Sequence, residues 1–485
     1  MRSSTFLTQV ASILVRLPMG FAIPAILFLV IWTFLLFKEV HDALHLGIFG
    51  TIPLLLGIAT ILCYTIGLLV LYNFAVFINW ALTRYFINPV RLSPAHPQRP
   101  RPQKEGLKEF KRIGIVLAGG GAKGAFQAGA MKAIYRFLVE HDALDKLKVI
   151  SGTSIGAWNA LFWLSDLIKS DEGWDKPSVH EQWWRSITLR SLVAPSWYVP
   201  FCRNAFFETT PWQQTFENIF GQEDVKQHIL KSEIHFYLTR SDVRSGRLQC
   251  ATNNEHARSI PKVRYNWLDA SQGADEFLKG VKFGVFASMD LPPLFPYMKH
   301  GDEFFEDGGV IDNLPVLFAA MELCDLIFVL PLNSNFNAIP DRRSVLKRLL
   351  RVMDVRQGAL ERGSLKDLYL YNELAVLRNY VRTLEKKLAE ANIDLPKDHD
   401  SETLHRALNR EHEPAKLFGV CPLRTFAEST INTGELWKSK NAGVAFNVMY
   451  RATREVLEQK FNPNQERIKI ALVDDAGHIT WDEDF

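Results

Sequence analysis

Residues 113–124 read Ile113-Gly114-Ile115-Val116-Leu117-Ala118-Gly119-Gly120-Gly121-Ala122-Lys123-Gly124, and a second glycine-framed stretch follows, Gly152-Thr153-Ser154-Ile155-Gly156. Ile113–Ala118 is a short apolar run bounded by glycines, which predicts a buried strand; Gly124–Leu138 predicts a helix. The same alternation recurs with a strand at Leu147–Ser151 and a helix at Ile155–Ile168. Ile234–Thr239 and Arg247–Thr252 read as a hairpin around Ser245-Gly246, Leu326–Leu330 as another buried strand and Ile468–Val473 as a final one. Strands alternating with helices favour an α/β sheet covered on both faces. Arg343–Glu390 predicts one or two long amphipathic helices that serve as a solvated cover on the core.

The two glycine-framed stretches carry the chemistry. Gly-x-Ser-x-Gly between a strand and a helix predicts a sharp turn that displays Ser154, because the strained backbone needs small neighbours at Gly152 and Gly156. The following helix points its positive end at the serine and favours developing negative charge. Gly119-x-Gly121-x-x-Gly124 also fits the dinucleotide fingerprint, which expects an acid at the end of the second strand. That strand ends in Ser151-Gly152-Thr153-Ser154, and Glu140 and Asp142 precede it, so the dinucleotide reading loses. No Gly-Lys-Ser/Thr occurs, which excludes a Walker A loop. What remains is an oxyanion hole built from Gly119, Gly120, Gly121 and Gly124. Asp307-Gly308-Gly309 is an Asp-Gly turn on its own, but its glycines leave room for a carboxylate to approach another loop.

The order Gly-rich loop, Gly-Thr-Ser-Ile-Gly, then Asp-Gly-Gly resembles the patatin-like phospholipase family over about Arg112–Val316. Ala287-Ser288-Met289-Asp290-Leu291-Pro292-Pro293-Leu294-Phe295-Pro296 and Asp307-Gly308-Gly309-Val310-Ile311-Asp312-Asn313-Leu314-Pro315-Val316 extend the likeness. Asp290 departs from it, standing where the family more often has a small residue. The resemblance, to the bacterial type with an added N-terminal transmembrane hairpin, implies a three-layer α/β/α core with a mainly parallel sheet. It implies a Ser-Asp dyad without histidine, with Ser154 as nucleophile and Asp307 as base, no cofactor and no metal. The expected substrate is a phospholipid or lysophospholipid, cleaved through an acyl-serine. An α/β-hydrolase triad completed by His478 is the enzymatic alternative, and a catalytically inactive membrane scaffold the non-enzymatic one.

The remaining sequence places this chemistry at a membrane. Leu17–Phe37 is an uncharged run of 21 residues and Leu46–Thr83 one of 38; a hydrocarbon core of roughly 30 Å needs about 20. Spans are expected at 17–37 and 46–71, the second continuing into an aromatic interfacial segment around Tyr72, Phe74, Phe77 and Trp80. Residues 1–104 hold eight Lys/Arg against two acids, although the whole chain is only +3. That basic excess flanks apolar runs, so it speaks for a bilayer and against nucleic acid as partner. Two spans with basic ends predict an integral membrane protein with its catalytic part in the cytoplasm, and the resemblance to the bacterial type implies the bacterial inner membrane. The expected organisation is a transmembrane region at 1–88, a Pro-rich basic linker at 89–107, a catalytic domain at 108–335 and a helical C-terminal extension at 336–485. The five cysteines are scattered and suggest no metal or redox motif. Trp174, Trp183, Trp184, Trp197, Tyr198, Phe206, Phe207 and Trp212 read first as core packing under a cap and second as an acyl-chain groove.

Overall fold

The computed structural model describes residues 107–170, 173–195, 205–333, 345–392, 414–423, 439–461 and 469–482, apart from 175, 206, 261, 262, 293 and 460. The expected spans at 17–37 and 46–71 and the Pro-rich linker, but for its last residue, lie outside these residues. Among the described residues no helix is long and apolar enough to cross a membrane.

A mixed sheet of eleven strands organises the described residues. Its centre is β1 (Ile113–Leu117), flanked by β2 (Leu147–Thr153) and, through a long return, by β8 (Leu326–Leu330), both parallel to it. All five residues of β1 and of β8 are buried. That is why these strands read as unbroken Ile/Val/Leu runs: a parallel strand with both faces covered has no polar side to show. Outward from β2 lie β3 (His235–Asp242), β4 (Arg247–Thr252) and β5 (Val263–Trp267). β3 and β4 pair antiparallel, as expected for a hairpin turning at Ser245-Gly246. A short antiparallel pair, β6 (Met298–His300) and β7 (Glu303–Asp307), attaches through β7 to β3.

On the other side, β8 is followed by β9 (Lys416–Pro422), β10 (Lys469–Val473) and β11 (Ile479–Asp482). The C-terminal region is therefore not only helical. β9 pairs in parallel with β8 and β10 in parallel with β9, so they prolong the same sheet. β10 lies within the segment expected to form the last strand. β9 was not expected, because Lys416-Leu417-Phe418-Gly419 carries a charge and a glycine within a short run. It is buried only because β8 offers an edge to pair with.

Helices cover the sheet. α1 (Gly124–Glu140) is buried along almost its whole length, since α5 (Ser439–Gln459) packs on its outer side. Gly129 allows that close crossing: a Cβ there would run into the carbonyl of Phe446. α2 (Ile155–Leu164) is buried at every residue. Around its Trp158 stand Trp183, Trp212 and Phe220, with ring centroids 5.0, 5.3 and 5.6 Å away. Edge-to-face and tilted contacts of this kind add about 0.5–1.5 kcal/mol each beyond area burial. Trp183, Trp184 and Trp212 are thus core residues, as the simpler reading expects. Trp197, Tyr198 and Phe206 lie outside the described residues. α3 (Ala274–Met289) runs beside β3 and β7. The single helix α4 (Val345–Glu390) follows β8.

Candidate active site

The two central strands deliver their loops to one end of the sheet. β1 and β2 are parallel, so the Gly-rich loop and Ser154 leave from the same edge. This is the crevice where ligands of open α/β sheets bind. Ser154 has φ +54° and ψ −124°, a backbone that an L-residue rarely adopts. The glycines two places either side make it possible. A Cβ on Gly152 would lie 2.7 Å from the Gly156 carbonyl, and one on Gly156 would strike the Leu117 carbonyl. The turn is anchored by the Ser154 N–H, which donates to Ser288 Oγ of α3 at 2.8 Å.

Asp307 arrives along the same edge of β3 that β2 occupies, just beyond the end of β2, because β4 holds the other edge. Thr153 is opposite Thr239 in the β2–β3 pairing, and Arg240 is opposite Asp307 in the β3–β7 pairing. Two adjacent registers therefore bring the residue after Thr153 next to Asp307. The loop lies directly on β3, where a Cβ on Gly308 would come 2.5 Å from Thr239 Oγ1. The Ser154 hydroxyl hydrogen-bonds the Asp307 carboxylate, whose Oδ1 also accepts the Gly309 N–H at 2.7 Å. The Asp307 carbonyl accepts from Ser241 Oγ at 2.9 Å, which fixes the end of the strand. Burial pushes the Asp307 carboxyl up to about 7, against the opposing effect of its bonds to Ser154 and Gly309; Glu306 nearby adds repulsion. Asp307 is 1% exposed and Ser154 8%, so the dyad opens to its surroundings through the serine.

The Gly-rich loop divides its tasks more sharply than the sequence suggests. The Gly119 N–H is occupied, donating to the Asn313 carbonyl at 3.1 Å. The Gly124 N–H is turned back onto the loop's own carbonyls of Ala122 and Gly121. Gly119 and Gly124 are therefore not free oxyanion donors as expected. Each answers a steric need instead. A Cβ on Gly119 would lie 2.5 Å from Asn313 Oδ1, and one on Gly124 would strike Ile155 and come 2.9 Å from Trp184. Gly120 and Gly121, the latter at φ +57°, are half-buried, and among the described residues neither N–H has a loop or turn carbonyl as acceptor.

The structure does not bring His478 to this place. β10, which precedes it, is three strands from β1 in the sheet, roughly 14 Å at the usual strand spacing. His478 is exposed, and its Nδ1 contacts Asp474 Oδ2 at 3.0 Å. Among the described residues no His/Cys/Asp/Glu cluster has the makings of a metal site.

Residues 115–320 match the patatin-like phospholipase family. The matched segment contains the Gly-rich loop, Ser154 and Asp307. The chain is also 26% identical over 208 residues to the lysophospholipase NTE1 of Debaryomyces hansenii; the aligned part is 42% of this chain and 11% of that protein. The chain thus spans about a tenth of the length of that curated relative. Among crystal structures it is similar to VipD from Legionella pneumophila, at 14% identity over 72% of this chain and 67% of that one. The TM-score of 0.29 is too low to carry an argument about the fold.

Within the matched segment three residues gain roles that their sequence context did not announce. Ser288 holds the elbow, as above. Asn313 grips the Gly119 peptide on both sides, accepting its N–H and donating from Nδ2 to its carbonyl at 3.0 Å. Its place in the Asp307–Val316 string was the one available signal. Asp290 is the third. Its carbonyl accepts the Asp307 N–H at 3.1 Å, and its own side chain is buried with Oδ2 unpartnered. Burial, then the neighbouring Asp307 and Glu306, holds the Asp290 carboxyl well above the usual range. Such a group favours the folded state only while protonated in both states, and its stability contribution is lost as pH rises from about 3.8 towards its folded value. Asp290→Asn is therefore expected to raise the melting temperature, by about 2–4 °C for each kcal/mol relieved, and more at pH 8 than at pH 4. Thermal unfolding at both pH values checks this; an equal or negative shift at pH 8 contradicts it.

Proposed function

We propose that this protein is a membrane-anchored serine lipid acyl hydrolase of the phospholipase A or lysophospholipase type, using Ser154 and Asp307 as a dyad. The observation that carries the reading is the hydrogen bond from the strained, partly accessible Ser154 hydroxyl to the buried Asp307 carboxylate. Asp307 takes the Ser154 proton as Oγ attacks the ester carbonyl carbon. The Gly120 and Gly121 N–H groups receive the resulting oxyanion, and the α2 N-terminus adds its positive potential. Asp307 then returns the proton to the departing alcohol, leaving an acyl-serine. A water, deprotonated by Asp307, hydrolyses that ester and restores the dyad. Raising Asp307 towards neutrality by burial makes it a far better base than an ordinary aspartate at neutral pH.

The lipid substrate is supported by the family match and by the lysophospholipase name of the Debaryomyces hansenii relative. The uncharged runs at 17–37 and 46–71, with basic residues at their ends, support anchoring in a bilayer with the hydrolase in the cytoplasm. A fluorophosphonate probe tests the nucleophile. Adduct formation on Ser154, found by peptide mass spectrometry, is the expected result; a folded protein labelled nowhere would favour an inactive scaffold. His478→Ala separates dyad from triad. Esterase turnover within about twofold of wild type is expected, whereas loss of a triad base typically costs about 10³-fold or more.

A further inference from the structure

The long helix α4 begins after the patatin-like segment ends, yet it is tied to both loops of the site. Glu361 is the centre of that attachment. It is 0% exposed, so it is no part of a solvated cover. Its Oε1 accepts from Asn313 Nδ2 and from Asn333 Nδ2, each at 2.6 Å, and its Oε2 accepts the Asn333 N–H at 3.1 Å. Asn313 is the residue that clasps the Gly119 peptide. The chain of contacts therefore runs Glu361, Asn313, Gly119, and then Gly120 and Gly121.

Neighbouring turns of α4 reinforce it. Arg356 Nη2 donates to the Val310 carbonyl at 2.6 Å, and Ser364 Oγ donates to Asp312 Oδ1 at 3.0 Å. Lys123, inside the Gly-rich loop, reaches Asn333 Oδ1 at 2.8 Å and Asp354 Oδ1 at 3.0 Å. One stretch of helix, 354–364, thus holds the loop after β1 and the loop after β7 together.

The chemistry at residue 361 is demanding. All three of its partners are N–H donors, so only a side chain with two acceptor oxygens satisfies them. An amide would turn an NH₂ group onto a donor, and an apolar residue would leave three buried donors unpaired, each at a cost. Taking a carboxylate wholly out of solvent is itself expensive, and a helix that merely covered the core would have no use for it.

We propose that Glu361 is a positioning residue for the hydrolase, fixing the Gly120 and Gly121 N–H groups through Asn313, and that α4 is the brace that delivers it. This rests on the reading of that loop as the oxyanion hole. An oxyanion donor acts only at the distance and direction of the charge that develops, so displacing the loop lowers turnover more than substrate binding.

The test uses the full-length chain with a short-chain aryl ester, measuring kcat, KM, the rate of fluorophosphonate labelling and the melting temperature. For Glu361→Gln we expect kcat to fall by on the order of 10²-fold, as for loss of one oxyanion donor. KM should stay within about twofold, and labelling should slow in parallel because the phosphonyl oxygen uses the same donors. A folded Glu361→Gln protein with wild-type kcat overturns the proposal, as does a loss explained wholly by a smaller folded fraction. Should that variant not fold, the double variant Arg356→Ala/Ser364→Ala loosens the same helix from its less buried contacts. A fall in kcat of roughly tenfold is expected there, and an unchanged kcat overturns the proposal. Failure of the underlying reading looks different: Ser154 of the wild-type protein would then not be labelled, or Ser154→Ala would still turn over.

Discussion

Ser154→Ala is expected to remove ester hydrolysis almost completely, by on the order of 10⁴–10⁶-fold in kcat, with the fold intact. The loss is large because no neighbouring group can replace the nucleophile. Ser288 Oγ is engaged by the Ser154 N–H, and Thr153 Oγ1 lies 2.6 Å from Thr239 Oγ1 on the β3 side. The fold tolerates the change because the Ser154 side chain makes its hydrogen bond only to Asp307, while the positive-φ backbone is held by the Ser154 N–H, by the β2 pairing and by the contact of Gly152 with Gly156. Residual catalysis from the oxyanion donors and substrate binding sets a floor above the uncatalysed rate. Purified wild-type and variant protein assayed on a lysophospholipid, with circular dichroism to check folding, decides the matter. Turnover by folded Ser154→Ala within tenfold of wild type would refute the assignment of the nucleophile.

Asp307→Asn carries the second large effect, a loss of about 10⁴-fold expected for the removal of an essential carboxylate. The amide keeps an oxygen for the Gly309 N–H but cannot accept a proton, and its NH₂ faces a hydroxyl that needs an acceptor. A pH profile gives an independent reading. The base works only when ionised, and burial has raised it to about 7. For wild type, kcat/KM should therefore level off above about pH 7 and fall tenfold for each pH unit below it. A flat profile between pH 5 and pH 8 would exclude Asp307 as the base.

The same burial has a stability cost with a definite sign. Moving the carboxyl from 3.8 to about 7 makes the folded state hold a proton that the unfolded chain has released. Its contribution is fully present below pH 3.8 and is lost as pH rises through 7, on the order of 4 kcal/mol by then. Asp307→Asn should consequently melt higher than wild type at pH 8 and close to it at pH 4. Lost activity together with gained stability is the signature of a group kept for chemistry rather than for folding. A variant that merely disrupted the site would lose both.

What was legible in the sequence follows from how far each constraint reaches along the chain. The elbow at Ser154 is largely legible within five residues, because the clash that selects Gly152 is with Gly156, although the one that selects Gly156 is with the Leu117 carbonyl of the neighbouring strand. The buried strands Ile113–Leu117 and Leu326–Leu330 announce themselves, because a strand covered on both faces must be apolar throughout. Asp307 could be named from its flanking string, although only the registers of β2, β3 and β7 put it beside the serine. The division of labour inside Gly119–Gly124 could not be read at all. Whether an N–H is free depends on its acceptor, and for Gly119 that acceptor belongs to Asn313, far along the chain. Glu361 was equally hidden. On an amphipathic helix rich in charge it looks like any solvent-facing acid, and only packing against Asn313 and Asn333 makes it buried. The sequence by itself thus determined the α/β alternation, the serine turn and the aspartate to pair with it, since local sterics and apolar runs leave their mark on neighbouring residues. The tertiary structure alone decided which N–H groups of the Gly-rich loop are already taken and which distant helix is tied to Asn313, because hydrogen-bond partners are chosen in space and not along the chain.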